Sequence, residues 1–564
     1  MNSGTVRRSE YLLFAALLLL LLLPQGAAAE ERILPASFRE EAAALGDIQR
    51  EILPAVDEAA YRAEDQVRLE AEEPGPWRFA APHYVHFDPA GSGAWEELPG
   101  EGRIWRIRIA SPGARSLNFG LTSCVFPEGS MIHFYTPDGK NIAGPYGPGD
   151  ITEGEIWTPV LPGDETVVEL FVPEGAKVEP NLAIAQVNHD YRGFLSHAMS
   201  KTSQGYCNND VICPEGDPWR DEIRSVGVYT LQGYWTCSGQ MVNSLDPEPP
   251  PYFLTAYHCG INTSNDQTMV LYWNYESPTC GMLGGGSLSD HQSGAVLRAR
   301  YSTSDFCLVE LAQEPDTSSH VYYSGWDATN ATPSSCVAIH HPSCDEKAIS
   351  FNNDALRVTS YFGTSTPGDG THLRVDDWED GTTEPGSSGS GIWNPYHRLV
   401  GQLHGGNASC YSITDDWYGR LYTSWTGGGT AASRLSSWLD PDNTGTLVLD
   451  GWDPQAIDTD VALGDEEVTR GYFLSPNAPN PFNPVTRITY SVPAGTGGAP
   501  ITLAIYDATG RMVRELVNGA KSPGTHAVTW DGTDNQGEPA ASGVYFYRMN
   551  WNEGSETRRL VLVR

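Results

Sequence analysis

The sequence predicts a mainly β chain built from several domains, and three observations carry that prediction. Its 564 residues exceed what one hydrophobic core holds, so three or four domains are expected. With 59 glycines and 40 prolines against an ordinary 40% hydrophobic content, the composition suits turn-rich β domains better than helical bundles. Apolar residues alternate in short runs separated by turn signals, as half-buried strands require. A formal net charge of −36 argues against nucleic-acid binding, because phosphates would be repelled. The acid excess is spread along the chain and reads as a solubilising surface.

The elements follow in chain order. Arg7 and Arg8 precede the apolar run Leu12 to Leu23, which is short for a bilayer span, and Ala27-Ala28-Ala29 offers small residues for cleavage before Glu30. Residues 1–29 therefore read as a secretion signal, with an uncleaved anchor as the alternative, and the product is expected outside the cell or on its surface. Residues 30 to about 75 are rich in Ala and Glu and read as a helical or partly ordered lead. From Trp77 to Asn188 short strands take over, among them Trp105–Ile109, Met131–Tyr135 and Thr166–Val172, with a turn at Ser111-Pro-Gly113. A β-sandwich is expected there. Its acidity and position suggest a pro-region over 30–201, and a retained binding module fits the same residues. Residues 202–450 contain β-like runs such as Tyr252–Thr255 and Val270–Trp273, with one amphipathic helix expected over Ala431–Leu439. The Asp-, Gly- and Pro-rich stretch 451–471 reads as a linker. After it, Thr486–Tyr490, Thr502–Tyr506, His526–Trp530 and Gly543–Tyr547 alternate again, predicting an antiparallel sandwich over 472–564.

The central region holds the candidate chemistry. Glu384-Pro-Gly-Ser-Ser-Gly-Ser390 reads as a nucleophile loop in which glycines let backbone N–H groups approach the Ser388 hydroxyl. A serine hydroxyl is a weak nucleophile alone and needs a base and an acid that orients it. Thr255-Ala-Tyr-His-Cys259 offers His258 as the base, and Ser304-Asp-Phe-Cys307 offers Asp305 as the acid. The order His, Asp, Ser is that of the chymotrypsin-like proteases. The N–H groups of Gly386 and Ser388 would form the oxyanion hole. His340 and His341 lack a third ligand at useful spacing, so a structural role is expected for them; no metal and no cofactor is implied.

With these residues in place, 202–450 resembles the bacterial lysyl endopeptidases, a secreted branch of the chymotrypsin-like proteases. The resemblance rests on Cys207-Asn-Asn-Asp-Val-Ile-Cys-Pro214, Phe253–Gly260, Tyr272-Trp-Asn-Tyr275, Ala338-Ile-His-His-Pro342, Thr383–Ser390, Gly401-Gln-Leu-His-Gly-Gly406 and Thr423–Gly429. It implies a chymotrypsin-like double β-barrel, flanked here by the N-terminal sandwich-like pro-region and the C-terminal Ig-like sandwich. It implies cleavage of protein or peptide substrates after lysine. A basic P1 side chain needs a carboxylate in its pocket, since a buried ammonium without a partner is costly. The matching acid is Asp416 in Asp416-Trp-Tyr-Gly-Arg420, with Asp415 adjacent if the register shifts. His404 and Gly405 would line the substrate cleft, and the tryptophan that stacks on the family's histidine falls here on Phe362. The resemblance also pairs Cys207 with Cys410, Cys213 with Cys280 and Cys237 with Cys259. Cys336 and Cys344 are additional and close enough in sequence for a fourth bridge; Cys124 and Cys307 are unassigned.

Trypsin-like zymogens switch on when a new terminal amine pairs with an Asp just before the nucleophile. That residue is Ser387 here, so activation is expected by removal of 30–201 instead. In the resembling family the mature chain begins five residues before its first cysteine, which points to Thr202, with Lys201 just before it. The chain holds only five lysines, at 140, 177, 201, 347 and 521, against thirty arginines. Avoidance of self-cleavage and a codon bias toward Arg both account for that. Protease of Arg or mixed specificity, and an inactive protease-like adhesin, are the alternative functions. The C-terminal block resembles FlgD-type Ig-like modules and C-terminal sorting domains through Asn477–Asn483, Ile505–Gly510, Trp530–Gly537 and Ala541–Phe546. Sorting machinery is thus a candidate partner, the acids of Trp530–Gly537 read as a turn, and a monomer is expected.

Overall fold

The computed structural model describes residues 33–455, except 40–41, 72–74, 195–204 and 283, and residues 472–563 with short gaps at 475–476, 478–481, 483, 485, 494–498, 508, 522–523 and 552–553. The signal segment, the Lys201–Thr202 junction and nearly all of the linker lie outside the described residues. The chain divides into two compact units, Met1–Pro454 and Gln455–Arg564. No helix among the described residues is long and apolar enough to cross a membrane.

The first unit opens with the lead. Asp57 caps helix Glu58–Glu70 by accepting the Ala60 N–H at 3.0 Å, and strand Arg50–Ile52 runs parallel to residues 108–110. Two sheets follow. One sets Gly102–Ala110 and Met131–Tyr135 on either side of Glu165–Pro173; the other sets Ser116–Val125 and Ala80–Phe87 on either side of Asn181–Asp190. Their inward faces share one core containing Trp105, Ile107, Leu117, Phe119, Phe134, Val168, Leu170, Ile184 and Val187. That is the expected sandwich, because alternate residues of each strand point to the same face.

The sandwich packs on the central domain through a second apolar cluster. Phe79, Trp157, Val160 and Phe194 of the sandwich meet Val228, Val270, Tyr272, Tyr275 and Cys344. Strand Trp77–Arg78 adds to the central domain's sheet beside Trp235–Met241, and Asn118 donates from Nδ2 to the Gly233 carbonyl at 2.9 Å.

The central domain is built from two largely antiparallel sheets, the double-barrel arrangement expected for it. The first runs through residues 226–311 in the order Val270–Tyr272, Val226–Leu231, Trp235–Met241, Tyr252–Ala256, Phe306–Leu311, Ala295–Tyr301. The second includes Cys336–His340, Gly391–Trp393, Leu399–Gly406, Asp416–Arg420 and His372–Val375 as successive neighbours. A shared core with Trp326, Trp393, Leu254, Phe306 and Leu308 joins them. The single helix expected over Ala431–Leu439 is corrected to a 3-10 turn, Ala431–Ser433, and a short α-helix, Ser436–Leu439. Ser433 Oγ folds back to accept the Thr430 N–H at 3.2 Å, and Arg434 is extended at φ −140° and ψ 146°, which breaks the helical run.

The second unit is a sandwich of its own. Thr486–Val492 lies between Phe473–Leu474 and Gly524–Trp530, and Ala499–Asp507 lies between Met512–Lys521 and Gly543–Trp551, which pairs on to Gly554–Leu562. Ile488, Leu503, Ile505, Trp530, Tyr547 and Met549 fill its core. Asp531 accepts the Thr533 N–H and hydroxyl, and Asp534 accepts the Gln536 and Glu538 N–H groups, so these acids close a turn as expected.

Candidate active site

Strand pairing brings the base and the acid together. Ala256 lies opposite Phe306 in the ladder, so His258 and Asp305 emerge at the same end of two neighbouring strands. His258 Nδ1 is 2.8 Å from Asp305 Oδ2, and Asp305 Oδ1 accepts the His258 backbone N–H at 3.0 Å. The Asp305 carbonyl accepts the Tyr257 N–H at 2.8 Å. Asp305 is 1% exposed and holds φ at +55°, a left-handed conformation that a non-glycine residue keeps only when its surroundings enforce it. Burial pushes its carboxyl pKa up, and the facing His258 pulls it back. With Nδ1 committed to Asp305, Nε2 is the ring nitrogen left for other chemistry.

The Ser388 loop is tied to the same frame. Ser238 donates its N–H to the Ser388 carbonyl at 2.9 Å and its hydroxyl to the Gly386 carbonyl at 2.9 Å. The neighbouring Cys237 is bonded to Cys259, the residue after His258, and Cys259 Sγ lies 3.9 Å from the Ser388 carbonyl oxygen. Gly389 has φ +85°, and a β-carbon there would collide with the Thr255 hydroxyl and the Ser238 carbonyl, so only glycine allows the loop this close to the histidine strand. The N–H groups of Ser387, Gly389 and Ser390 are bonded to the carbonyls of Glu384, Leu403 and Ser387. Those of Gly386 and Ser388 donate to no partner among the described residues. The two expected oxyanion donors are therefore the two that the loop leaves open.

Ser387 is braced from below. Its Oγ is 2.8 Å from His340 Nδ1, His340 Nε2 is 3.1 Å from Ser350 Oγ, and that hydroxyl donates to the Thr382 carbonyl at 2.8 Å. Burial lowers the His340 pKa to about 3, so it is a neutral spacer at ordinary pH. His341 is buried and bonds the Asp345 carbonyl through Nδ1 at 2.9 Å.

The two adjacent acids behave differently. Asp415 is neutralised: its Oδ2 accepts from Arg374 Nε at 3.0 Å and Nη2 at 2.6 Å, and its Oδ1 accepts from Asn407 at 3.1 Å. Asp416 is 1% exposed; its Oδ2 accepts the Trp378 indole N–H at 2.8 Å and the Thr383 hydroxyl at 2.7 Å, while Oδ1 has no hydrogen-bond partner. Burial, the largest influence, raises its pKa to about 6, against the Thr383 and Trp378 side chains and the Ala408 backbone, which favour the charged form. Gly406 packs on Oδ1 so tightly that a β-carbon there would overlap it. Thr383 directly precedes the nucleophile loop, so its bond to Oδ2 ties the Asp416 carboxylate to the segment that carries Ser388.

His404 lies between the acid and a second histidine. Its Nε2 is 3.8 Å from Asp305 Oδ1, its ring stacks on His258 at 5.4 Å, and its Nδ1 is 2.9 Å from His372 Nε2. His372 Nδ1 is 2.7 Å from the Thr371 hydroxyl, which donates to Asp369 at 2.7 Å. That donation fixes the tautomers: Thr371 accepts from His372 Nδ1–H, and His372 Nε2 accepts from His404 Nδ1–H. Burial and the neighbouring histidines push His404 down to about 2, and burial pushes His372 down to about 4. The stacking partner expected at Phe362 is corrected to Tyr361, whose ring lies 3.6 Å from that of His404 at 6°. Phe362, at φ +53°, turns instead toward Trp417, 4.9 Å away. Gly405 follows His404 with the Tyr361 hydroxyl beside it.

The structure joins Cys207 to Cys410, Cys213 to Cys280 and Cys237 to Cys259, as the resemblance implies. The fourth bridge is corrected: Cys336 and Cys344 are free and buried. Strand Cys336–His340 and the turn after it separate them, and a five-residue strand alone spans roughly 15 Å, beyond disulfide reach. Two groups come near enough to converge on an ion among the described residues, Cys237, His258, Cys259 and His258, Asp305, His404. The sulfurs of the first are spent in a disulfide, and the second is committed to the bonds above. Sequence reasoning did not single out Tyr361, His372 or Glu384. Glu384 takes the Gly205 N–H at 2.9 Å and the Asn208 amide at 3.1 Å, fastening the start of the central domain to the nucleophile loop. Its place in the nucleophile motif was the available signal; Tyr361 and His372 had none.

Family models match in three places: the lysyl endopeptidase N-terminal domain over residues 77–191, the lysyl endopeptidase C-terminal domain over 202–419, and the FlgD Ig-like domain over 487–555. Models of both lysyl endopeptidase domains thus match, and the chain is similar to that family over residues 77–191 and 202–419. A lysyl endopeptidase of Pseudomonas aeruginosa is 28% identical over 348 residues, covering 57% of this chain and 72% of that protein. Among solved structures, a Glu endopeptidase is similar over 39% of this chain and 93% of its own, at 15% identity and a TM-score of 0.26. Kallikrein-related peptidase 10 is similar over 36% and 93%, at 13% identity and a TM-score of 0.25. As a lysyl endopeptidase relative, the chain is a serine endopeptidase acting on protein or peptide substrates.

Proposed function

We propose that the chain is the secreted, self-processed precursor of an endopeptidase that cleaves on the carboxyl side of lysine. The observation that carries this reading is the open Oδ1 of Asp416, a buried carboxylate lacking the one partner that a P1 ammonium would supply. In the proposed reaction His258 Nε2 takes the Ser388 proton as Oγ attacks the carbonyl carbon. The N–H groups of Gly386 and Ser388 receive the oxyanion, and Asp305 holds and stabilises the imidazolium. His258 then protonates the leaving amine, and water repeats the sequence on the acyl-enzyme. His404, held by His372 and Tyr361, packs beside His258 and keeps the far side of Asp305 dry. Phe362 and Gly405 remain candidates for the cleft rim.

Lysine is favoured over arginine by Lys201, which directly precedes the expected mature start at Thr202, and the composition of the catalytic domain agrees with it. Nine arginines fall in 202–454, against the single lysine Lys347. Lys347 is 0% exposed and bonded to Glu276 and the Ile223 carbonyl, both at 2.8 Å. We assign residues 30–201 as the pro-region, removed at Lys201–Thr202, and 472–564 as a module for sorting at the cell surface. Ser387, bonded to neutral His340, supports a nucleophile loop that needs no terminal amine to hold it. The test is N-terminal sequencing of the secreted product with a map of cuts in a protein rich in both basic residues. New C-termini at Lys and a mature start at Thr202 are expected, and abundant cuts after Arg would overturn the lysine preference. Ser388→Ala is expected to abolish both activities; maturation like wild type would sink the triad.

A further inference from the structure

We infer that Lys177 is a second self-cleavage site, at which the active enzyme opens its own N-terminal domain. The inference rests on the lysine preference proposed above. Apart from the junction residue Lys201, four lysines remain, and their surroundings differ. Lys347 is sealed in the catalytic domain, and Lys521 ends a strand, paired with Ala499 in the ladder. Lys140 is exposed but sits in a bonded turn: its N–H donates to Asp138 Oδ1 at 3.2 Å, its Nζ lies 3.1 Å from Asp138, and Thr136 bonds across to the Asn141 carbonyl at 3.0 Å. Lys177 lies in the uninterrupted exposed run of residues 174–179, between strands Glu165–Pro173 and Asn181–Asp190. The last backbone bond before it is from Ala176 to the Pro173 carbonyl at 3.3 Å, and no N–H of Lys177, Val178 or Glu179 is bonded among the described residues. A protease binds its substrate extended, so a loop with unspent backbone groups is the least costly place to enter.

The position gives the cut a consequence. Glu165–Pro173 is flanked on both sides in one layer of the sandwich, and Asn181–Asp190 is flanked on both sides in the other. Hydrolysis of the Lys177–Val178 bond adds one water across it, leaving a carboxylate on Lys177 and an amine on Val178, and makes those two strands separate chains. With Lys201 also cut, the fragment from Val178 keeps Phe194, seated against Tyr272 and Tyr275 at ring distances of 5.5 and 6.3 Å. No disulfide holds the pieces, since Cys124 is the sole cysteine of residues 30–201 and is free. Two cuts therefore make removal of the N-terminal domain irreversible.

The test uses the full-length chain carrying Ser388→Ala, which cannot cut itself, as substrate for the wild-type secreted enzyme, read by intact mass and N-terminal sequencing. Lysyl and arginyl peptides are assayed alongside. Expected are new N-termini at Thr202 and Val178. In Lys177→Gln the Val178 terminus is expected to vanish, the Thr202 terminus to persist, and the N-terminal domain to survive at least tenfold longer. Cleavage of the lysyl peptide and of Lys201 with Lys177–Val178 left intact, or entry at Lys140 instead, overturns the inference and leaves the lysine preference standing. Failure to cut the lysyl peptide overturns the preference, and the inference with it.

Discussion

Asp65 in the N-terminal domain and Asp416 in the catalytic domain are both buried carboxylates, at 4% and 1% exposure, and they are treated in opposite ways. Asp65 is saturated. Its Oδ1 accepts from Arg78 Nε at 2.8 Å, and its Oδ2 from the Tyr191 hydroxyl at 2.6 Å and Arg192 Nη2 at 2.5 Å. Asp190 nearby takes the N–H groups of Arg192, Gly193 and Phe194 and the Ser116 hydroxyl. Asp416 receives two donors on one oxygen and none on the other. A buried acid surrounded by donors and cations holds a structure together, whereas one left half-solvated by protein stores a demand for a cation. The same contrast extends to covalent links: three disulfides cross the catalytic domain, and none lies in the described part of the N-terminal domain.

The sharpest test of the contrast is to neutralise the open acid. Asp416→Asn is expected to lower kcat/KM on lysyl substrates by about 10³-fold or more, the scale of breaking a desolvated charge pair, while Tm holds or rises. The sign on stability follows from its pKa of about 6, above the ordinary aspartate value. The folded state binds the proton more tightly than the unfolded one, so stability falls as pH rises from about 4 to 6 and is level above, where the charge costs roughly 3 kcal/mol. In wild type, kcat/KM for lysyl peptides should accordingly drop as pH falls through about 6. A flat profile there, or a Tm lowered by Asp416→Asn, would break the comparison.

Asp65→Ala should do the reverse. Removing the shared acceptor leaves Arg78 and Arg192 without it, and urea denaturation in a Ser388→Ala background should show the N-terminal domain weakened by about 3 kcal/mol. Lysyl-peptide activity of the catalytic domain, once matured, should be unchanged. A smaller effect is expected at His372→Phe, which removes the hydrogen-bond partner of His404 Nδ1 but keeps a ring of similar size. A few-fold loss in kcat with KM nearly constant, and a shifted acid limb of the kcat profile, would mark a positioning role; a change in Tm alone would not.

Local signals were legible wherever the chain declares itself over a few residues. The strands Met131–Tyr135 and Tyr252–Ala256, the turn at Trp530–Gly537 and the Gly-Ser loop around Ser388 follow from alternation, turn chemistry and glycine placement. The helix over Ala431–Leu439 failed because spacing alone does not register that Ser433 bonds back to Thr430. Phe362 failed for a related reason: neighbours on a turn point in different directions, so one residue in sequence decides which ring meets His404.

What the sequence by itself determined is which groups exist and in what order: a histidine, an aspartate and a serine in three motifs, six cysteines in a family frame, and few lysines. The tertiary structure alone decided which of two adjacent aspartates is spent on Arg374 and which keeps an oxygen open, and that His372 backs His404. It also decided that Lys347 is sealed while Lys177 is exposed. These outcomes depend on burial and on partners tens to hundreds of residues away. Composition and spacing carry no record of which donor reaches which acceptor once the strands are paired.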